Sequence, residues 1–411
     1  MSTRPYRQVL KQPALRRILP ALAVSALGDG MTMVAVAWLA VQIAPAGQTA
    51  VWTGLAVAAY SLPATAGAAL FSRLVRRLSG ARLVAADASL RALTLGTIAV
   101  LAVTAQLSPL GFVLLLAVSS LLHAWGGAGT YTLIAELLPP DDRLAGNALV
   151  STFQQAAFIA GPALAGGLAA VAGPGWVIGF DALSFALLAI SCAGVPSSQR
   201  PPSASSGGWR IVLSRPQLLG LLGVTCVFFF LYGPVEVALP IYVAHDLAGS
   251  PALLGAYWTA FGLGAVAGGL GAGLLRDRRL STVVAGIIVG WGASLLPLAL
   301  THAVWAGLIG LALGGLIYGP FTAICVALFQ QASPPELLSR VLATRTALTI
   351  PSTALGTLIG GPAVEALGAQ PTLLLSAVLT IALGVAVAAA ARLRPSVGTP
   401  GTNVQSHSPM R

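Results

Sequence analysis

Charge is scarce in this chain, and lysine is almost missing. Charged residues make up 8% of the 411 positions, and Lys11 is the only lysine. Soluble domains carry roughly 25% charged residues, so the composition points away from a water-soluble core. The three cysteines, Cys192, Cys226 and Cys325, all fall inside apolar runs and lack a Cys-x-x-Cys spacing. They read as small packing residues rather than a disulfide or a metal site. A phosphate-cradling Gly-x-x-x-x-Gly-Lys-Ser/Thr segment is missing, which leaves ATP-driven work unsupported. With neither His-Glu-x-x-His nor a Cys/His cluster, a metalloenzyme is not expected, and neither a metal nor a cofactor is called for.

What the chain has instead is apolar length. Hydrophobic residues form 56% of it, gathered in twelve runs, each near the roughly 20 residues that cross about 30 Å of hydrocarbon. The spans are expected near Ile18–Ile43, Val51–Phe71, Leu83–Ala105, Leu110–Ala135, Ala148–Val171 and Trp176–Val195. The second set is Leu218–Val243, Leu253–Leu275, Thr282–Leu300, Val304–Phe329, Val341–Val364 and Thr372–Ala391. Almost every arginine lies in every second gap: before the first run, then after the second, fourth, sixth, eighth, tenth and last. The intervening gaps near Gln48, Gln106, Gly173, His245, His302 and Gly368 contain no Lys or Arg. Cationic loops stay in the cytoplasm, so a multi-pass protein of a bacterial cytoplasmic membrane is expected, with both termini cytoplasmic. The net charge of +11 then reflects loop bias and attraction to anionic headgroups. The lipid bilayer is the expected partner; nucleic acid is not, and no obligate protein partner is evident. The basic N-terminal segment before an apolar run imitates a signal peptide, with Ala35-Val36-Ala37 as a cleavage-like site. That run is too long for a signal core, so a retained first helix is expected.

A Pro/Ser/Gly-rich stretch divides the spans six and six. The expected organisation is a cytoplasmic segment 1–17, a six-helix bundle 18–195, a cytoplasmic linker 196–216, a second six-helix bundle 217–391 and a disordered tail 392–411. The two bundles repeat one another. Gly54, Ala59, Leu62, Ala64, Ala66, Gly67, Leu74 and Arg77 face Gly255, Ala260, Leu263, Ala265, Ala267, Gly268, Leu275 and Arg278 without a gap. Pro139-Pro140 and Gly161-Pro162 likewise mirror Pro334-Pro335 and Gly361-Pro362. Parallel six-helix repeats are a mark of transporters that rock one half against the other around a midplane site.

The segment Gly273-Leu-Leu-Arg-Asp277-Arg278-Arg279 after the eighth span resembles the Gly-x-x-x-Asp-Arg loop signature of the major facilitator superfamily. Further along, Leu137-Leu-Pro-Pro-Asp-Asp-Arg143-Leu-Ala-Gly-Asn147, Gly161-Pro162-Ala-Leu-Ala-Gly166-Gly167 and Phe180-Asp181-Ala-Leu-Ser184-Phe185 follow in order. With Gly28-Asp29-Gly30 they resemble the branch that holds macrolide-efflux pumps and the enterobactin exporter. The resemblance covers roughly Val9 to Arg394. It implies an all-α membrane protein, twelve transmembrane helices in two pseudo-symmetric six-helix bundles. It also implies a gating loop in which Asp277 and Arg278 latch the cytoplasmic face. The first-half copy, Arg76-Arg77, departs from the pattern, because Arg76 stands where the Asp is expected. Gly161, Pro162, Gly166 and Gly167, with Gly361 and Pro362 in the other half, are similar to the antiporter motif of efflux members. Asn147 and Asp181 belong to the branch motif.

Ionisable residues inside spans are costly and are functional candidates by default. Asp29 lies about 16 Å into the first span, flanked by two glycines; Glu236 follows Gly233-Pro234 in the seventh. By the resemblance both helices line a central cavity, where a carboxylate can load and lose a proton. They are the proton-coupling candidates. Asp181 is expected to pack or cap, Asp87 and Arg91 to pair four apart on one face, Arg345 to snorkel, and His123 to be a satisfied interhelical histidine. The aromatic residues Trp38, Tyr60, Trp125, Tyr131, Tyr257, Phe261, Tyr318 and Phe321 are cavity-lining candidates and suit hydrophobic or amphipathic cargo. The expected function is therefore proton-driven efflux of small hydrophobic molecules, drug- or antibiotic-like, with no catalytic residues. A siderophore or lysolipid exporter of the same fold is the alternative, and a polytopic membrane enzyme or sensor the remote one.

Overall fold

A computed structural model describes residues 4–71, 78–195, 212–275, 278–333 and 337–393. Among them there is helix and no strand, and twelve helices are long and apolar enough to cross a membrane. They are α1 (Pro13–Ile43), α2 (Thr49–Leu70), α3 (Gly80–Val103), α4 (Pro109–Leu137), α5 (Pro140–Ala172) and α6 (Pro174–Cys192) in the first half. The second half holds α7 (Pro216–Asp246), α8 (Pro251–Leu275), α9 (Thr282–Leu300), α10 (Val304–Ala332), α11 (Thr344–Leu367) and α12 (Ala369–Ala390). A short helix, Arg4–Lys11, precedes them. The described basic loop residues, from Arg16 and Arg17 through Arg82, Arg143 and Arg215 to Arg278, lie at the ends of these helices that alternate along the chain, and so mark one face. This is called the basic face below.

Local chemistry sets the helix ends. Pro13, Pro109, Pro174, Pro216 and Pro251 each open a span, where the missing N–H would have had no partner in any case. Ser79 and Ser108 cap α3 and α4 by accepting from the backbone N–H groups of Arg82 (3.4 Å) and Gly111 (3.1 Å). The α5–α6 and α11–α12 turns pass through Gly173 (φ +91°) and Gly368 (φ +93°). That left-handed backbone favours glycine, and its recurrence at matching points is the repeat seen at the level of a single torsion.

Several spans are interrupted, which hydrocarbon permits only when neighbours satisfy the freed backbone groups. In α2, Pro63 has no N–H to give the Ala59 carbonyl. The Ser120 hydroxyl on α4 donates to that oxygen instead, at 3.1 Å. Trp125 on α4 donates its indole N–H to the Gly67 carbonyl of α2, also at 3.1 Å. The α4 helix is itself broken between Ser120 and His123, and α10 breaks at the matching place, between Tyr318 and Phe321.

Helix ends differ from expectation by a few residues, as α1 starts at Pro13 rather than Ile18 and α7 runs on to Asp246. Helices continue into the headgroup layer, where hydropathy no longer marks them. Most of the expected linker, and the chain from 394 onward, lie outside the described residues. Val212, within the expected linker, is buried against Leu218, Leu222, Phe329 and Val341.

Candidate functional site

The two halves meet through α2 with α11 and through α5 with α8, and the close approaches fall at the end away from the basic face. There Gly54 and Gly361 bring α2 and α11 together. A Cβ on Gly361 would lie 2.9 Å from the Ala50 carbonyl oxygen, and one on Gly54 3.0 Å from that of Thr357. Across the other seam Gly166 sits so close to α8 that a Cβ would lie 2.8 Å from the Pro251 carbonyl oxygen. Glu365 on α11 accepts from the Ala50 N–H in the first turn of α2, at 3.1 Å, an anion on the positive end of a helix. Midway, Phe158 of α5 meets Phe261 of α8 edge to face, ring centres 6.0 Å apart. Between the packed first turns of α5, where Ala145, Gly146 and Val150 are buried, and this contact, Ser151, Thr152, Gln154, Gln155 and Ala156 are all exposed. The halves are thus pinned together at the end away from the basic face, and the space between them on the other side is called the cleft below.

The antiporter-like residues divide between these contacts. Gly161 packs within its own half, and its missing side chain lets α5 touch α1 at Gly30: a Cβ would lie 2.5 Å from the Gly30 carbonyl carbon. The helix runs unbroken through Pro162. Gly166 and Gly361 serve the seams, whereas Gly167 and Pro362 are exposed.

Asp29 reaches from α1 into a polar cluster formed by four other helices of the first half. Its Oδ1 accepts from Tyr60 Oη of α2 at 2.7 Å and from Arg91 Nη1 of α3 at 2.5 Å. Arg91 is 1% exposed and Asp29 34%, so the pair is a buried cation meeting an acid at the water's edge. The Arg91 guanidinium also lies against the Tyr60 and Phe185 rings, 5.3 and 4.7 Å from their centres, a cation on two aromatic faces. The expected Asp87–Arg91 pair is not formed. Arg91 turns across to α1 because the only carboxylate there, Asp29, has no other cation, and Asp87 is left with its Oδ1 unpartnered. The His123 imidazole on α4 comes within 4.0 Å of Asp87 Oδ2 through its Nδ1. His123 is 48% exposed, so it faces open space and is not the satisfied interhelical histidine expected.

Asp181 lies beside this cluster, buried within α6 rather than capping it. Its Oδ2 accepts from Thr32 Oγ1 at 2.7 Å and its Oδ1 from Ser184 Oγ at 3.2 Å. The side chain of Asp181 occupies the space a Cβ on Gly28 would need, which is the packing reason for glycine before Asp29.

The second half is built otherwise. Glu236 on α7 accepts from Thr357 Oγ1 of α11 at 3.2 Å, and among the described residues no Lys, Arg or His lies within ion-pair distance of it. One turn earlier Tyr232 joins an aromatic cluster through Trp291, ring centres 5.7 Å apart. Trp291 continues to Phe261 at 5.3 Å and Tyr318 at 6.1 Å, and Tyr318 stacks on Phe321 at 5.6 Å.

Of the aromatic residues expected to line a cavity, Tyr60, Trp125, Tyr131 and Tyr318 keep some exposure. Trp38, Tyr257, Phe261 and Phe321 do not, being 6% exposed or less; Tyr257 donates to the Val304 carbonyl at 3.4 Å and ties α8 to α10. Amphipathic rings were expected to face the cleft, but the interhelical packing claims them. Asn147 has its Oδ1 buried without a partner. Arg345, expected to snorkel, lies over the Phe329 ring at 5.9 Å instead. Of the gating loop, Asp277, Arg76 and Arg77 lie outside the described residues; Arg278 is exposed, with its backbone N–H on the Leu275 carbonyl at 3.0 Å. Sequence reasoning missed the Asp29–Arg91 pair, whose one available signal was a lone arginine inside a span. It missed Glu365 and Glu136 as well; the Glu136 carboxylate accepts from the Gly80 N–H at 3.2 Å, tying α4 to the start of α3.

Comparison with known proteins follows the same lines. The model of the Major Facilitator Superfamily matches residues 18–242 and 235–409. The multidrug efflux pump Tap of Mycobacterium tuberculosis is 29% identical over 401 residues, 90% of this chain and 91% of that protein. An uncharacterized MFS-type transporter, y4rN of Sinorhizobium fredii, is 30% identical over 262 residues, 59% of this chain; the match spans only 62% of that protein's length. Macrolide efflux protein A of Streptococcus pyogenes is 23% identical over 266 residues, 61% of this chain and 66% of that protein. Among solved structures, the nucleoside transporter NupG superposes with a TM-score of 0.72 at 13% identity, over 92% of this chain and 98% of that one. A bacterial homolog to the human lysosomal transporter Spinster reaches 0.68 at 12% identity, over 92% and 96%. At such identities the superpositions speak for the fold alone.

Proposed function

The chain belongs to the major facilitator superfamily, a multi-pass membrane transporter and not an enzyme, and from that premise we propose that it exports small hydrophobic or amphipathic molecules in exchange for protons. The observation that carries this reading is the position of Asp29. It stands 34% exposed in the cleft between halves that are pinned together at the far end. There it can take a proton from water and, through Arg91 and Tyr60, alter contacts among three helices. Basic loops are retained in the cytoplasm, so the cleft is read as facing the cytoplasm, with both termini on that side. Glu236 is the second coupling candidate, at the head of the cleft in the other half. Tyr232 and Tyr318, the partly exposed members of the aromatic cluster, offer apolar surface for cargo over the buried Trp291, Phe261 and Phe321, in keeping with relatives named for multidrug and macrolide efflux. The exchange needs no bound cofactor, since the proton gradient is the energy source.

Reconstituted or inverted vesicles containing the full chain test the proposal. An imposed proton gradient should drive uptake of a lipophilic fluorescent drug, and an uncoupler should abolish it. Asp29→Asn should remove most of the proton-driven accumulation, while downhill exchange of drug continues. Accumulation that requires ATP and ignores the uncoupler would overturn the mechanism. Wild-type accumulation with an unchanged pH profile in Asp29→Asn would pass the coupling role to Glu236.

A further inference from the structure

Two buried polar atoms of α3 have no hydrogen-bond partner, and they are complementary. Arg91 Nε carries a proton with no acceptor, and Asp87 Oδ1 is an acceptor with no proton. Such atoms are costly when left unmet, and most native structures avoid them. These two belong to residues four apart on one helix, the spacing at which an aspartate and an arginine can meet. They stay apart because the guanidinium is committed through Nη1 to Asp29.

We propose that Asp87 is the second anchor of Arg91. When Asp29 takes up a proton, the guanidinium leaves it and turns onto Asp87. The proposal rests on the reading of Asp29 as the proton carrier. In the step, water in the cleft delivers one proton to the Asp29 carboxylate, which becomes a carboxylic acid. The Nη1–H bond to Asp29 breaks and an Nε–H bond to Asp87 Oδ1 forms; no other proton moves. A single cation then serves two carboxylates in turn, so that Arg91, 1% exposed, is never left buried without an anion, a situation that costs several kcal/mol. The aromatic faces of Tyr60 and Phe185 accompany the guanidinium through the turn without exposing it to water.

The other groups facing Arg91 fit this exchange. Tyr60 of α2 donates to Asp29 and holds the protonated carboxyl group when Arg91 has left. Asp181 of α6 accepts from Thr32 and Ser184 and makes no ion pair with Arg91. His123 of α4 stands 4.0 Å from the other Asp87 oxygen and leaves Oδ1 vacant for the guanidinium. Gly126 lies directly against the Asp87 carboxylate and holds it in place beside α4. Asp87 thus becomes a positioning residue: it does not carry the transported proton, but it sets how readily Asp29 can accept one.

The test uses purified full-length protein in lipid nanodiscs without cargo, so its result is independent of whether a chosen drug is transported. Infrared difference spectra between pH values report the C=O band of protonated carboxyl groups. In the wild type such a band should grow as pH falls, and the component of it that Asp29→Asn removes reports Asp29, the other buried carboxyls supplying the remainder. In Asp87→Asn and Asp87→Ser, protonating Asp29 would strand Arg91. The Asp29 component should therefore appear only at more acid pH, displaced by about one unit, a tenfold loss of proton affinity. Asp87→Glu, which restores an anion, should return the midpoint toward the wild type. The serine variant fits the space beside Gly126 and carries the test should the asparagine variant fail to fold. An unmoved midpoint in Asp87→Ser overturns the proposal. So does the lack, in the wild type, of any titrating component that Asp29→Asn removes.

Discussion

At the centre of the first half lies an arginine; at the matching place in the second lies a tryptophan. The register that sets Gly54 against Gly255 also sets Tyr60 against Phe261 and Arg91 one residue from Trp291. Both central side chains are about 1% exposed, and both have an aromatic partner near 5.3 Å, Tyr60 for Arg91 and Phe261 for Trp291. The backbone repeat has been kept while the chemistry has been exchanged. A buried cation demands an anion, and in the first half Asp29 supplies it. An indole demands only packing, so the second half has acquired an apolar cluster and leaves Glu236 without a basic partner among the described residues. One half centres on a buried ion pair and the other on packed rings, on one architecture.

The contrast is most severely tested by removing the two central side chains. Trp291→Ala should cost about 3–5 kcal/mol through the cavity it leaves, and no second substitution in the first half should recover it. Arg91→Met should cost about 3 kcal/mol, the lower bound for breaking a buried pair, because Asp29 keeps some contact with water. Adding Asp29→Asn to Arg91→Met should restore most of that loss, since both charges then disappear together. Thermal unfolding of the purified variants measures all of this. If the double variant is as unstable as the single one, Arg91 is a packing residue like Trp291 and the two halves differ less than argued.

A smaller effect is expected at the seams. Gly361→Val and Gly166→Val each place a side chain against backbone of the other half. Overpacking of this kind costs about 1–3 kcal/mol, equivalent to a population shift of roughly 5–150-fold away from the closed far end. Spin labels at Gln48 and Ala366 report the α2–α11 seam, and labels at Ala172 and Ser250 the α5–α8 seam. Either valine should lengthen both distances if the halves move as bodies. Lengthening of one pair alone would show that a half bends.

Smallest is the effect of Glu365→Gln. The residue is exposed, and its bond to the first turn of α2 is an anion on a helix terminus, so less than about a fivefold shift is expected. The same label pairs measure it. The α5–α8 seam closes through Gly166 and Gly255, backbone against backbone, and should show no comparable dependence on salt, whereas the Glu365 contact should weaken as salt screens it.

The twelve spans and their grouping were legible in the chain because crossing hydrocarbon needs long apolar runs, and runs can be counted. Proline and serine at the helix starts were legible for the same local reason. Pairing was not. Asp87 and Arg91 stand four apart and look like partners, yet the arginine crosses to Asp29, 62 positions away. His123 looked enclosed, but the break after Ser120 turns it outward to the cleft. Trp38 and Phe321 looked like cavity walls, but packing placed them inside. In each case the deciding quantity was which helix faces approach one another, and residue spacing along one helix carries no information on that.

Composition, apolar length and the placement of arginines determined a twelve-span membrane protein of two repeated halves, because the bilayer acts on each segment separately and its demands are local. The tertiary structure alone decided which buried charges neutralise each other, at which end the halves are pinned together, and which of two near-identical frames holds a guanidinium against an acid. Those outcomes depend on distances of a few ångströms between helices remote in the chain, where a charge without water must find its partner or be lost.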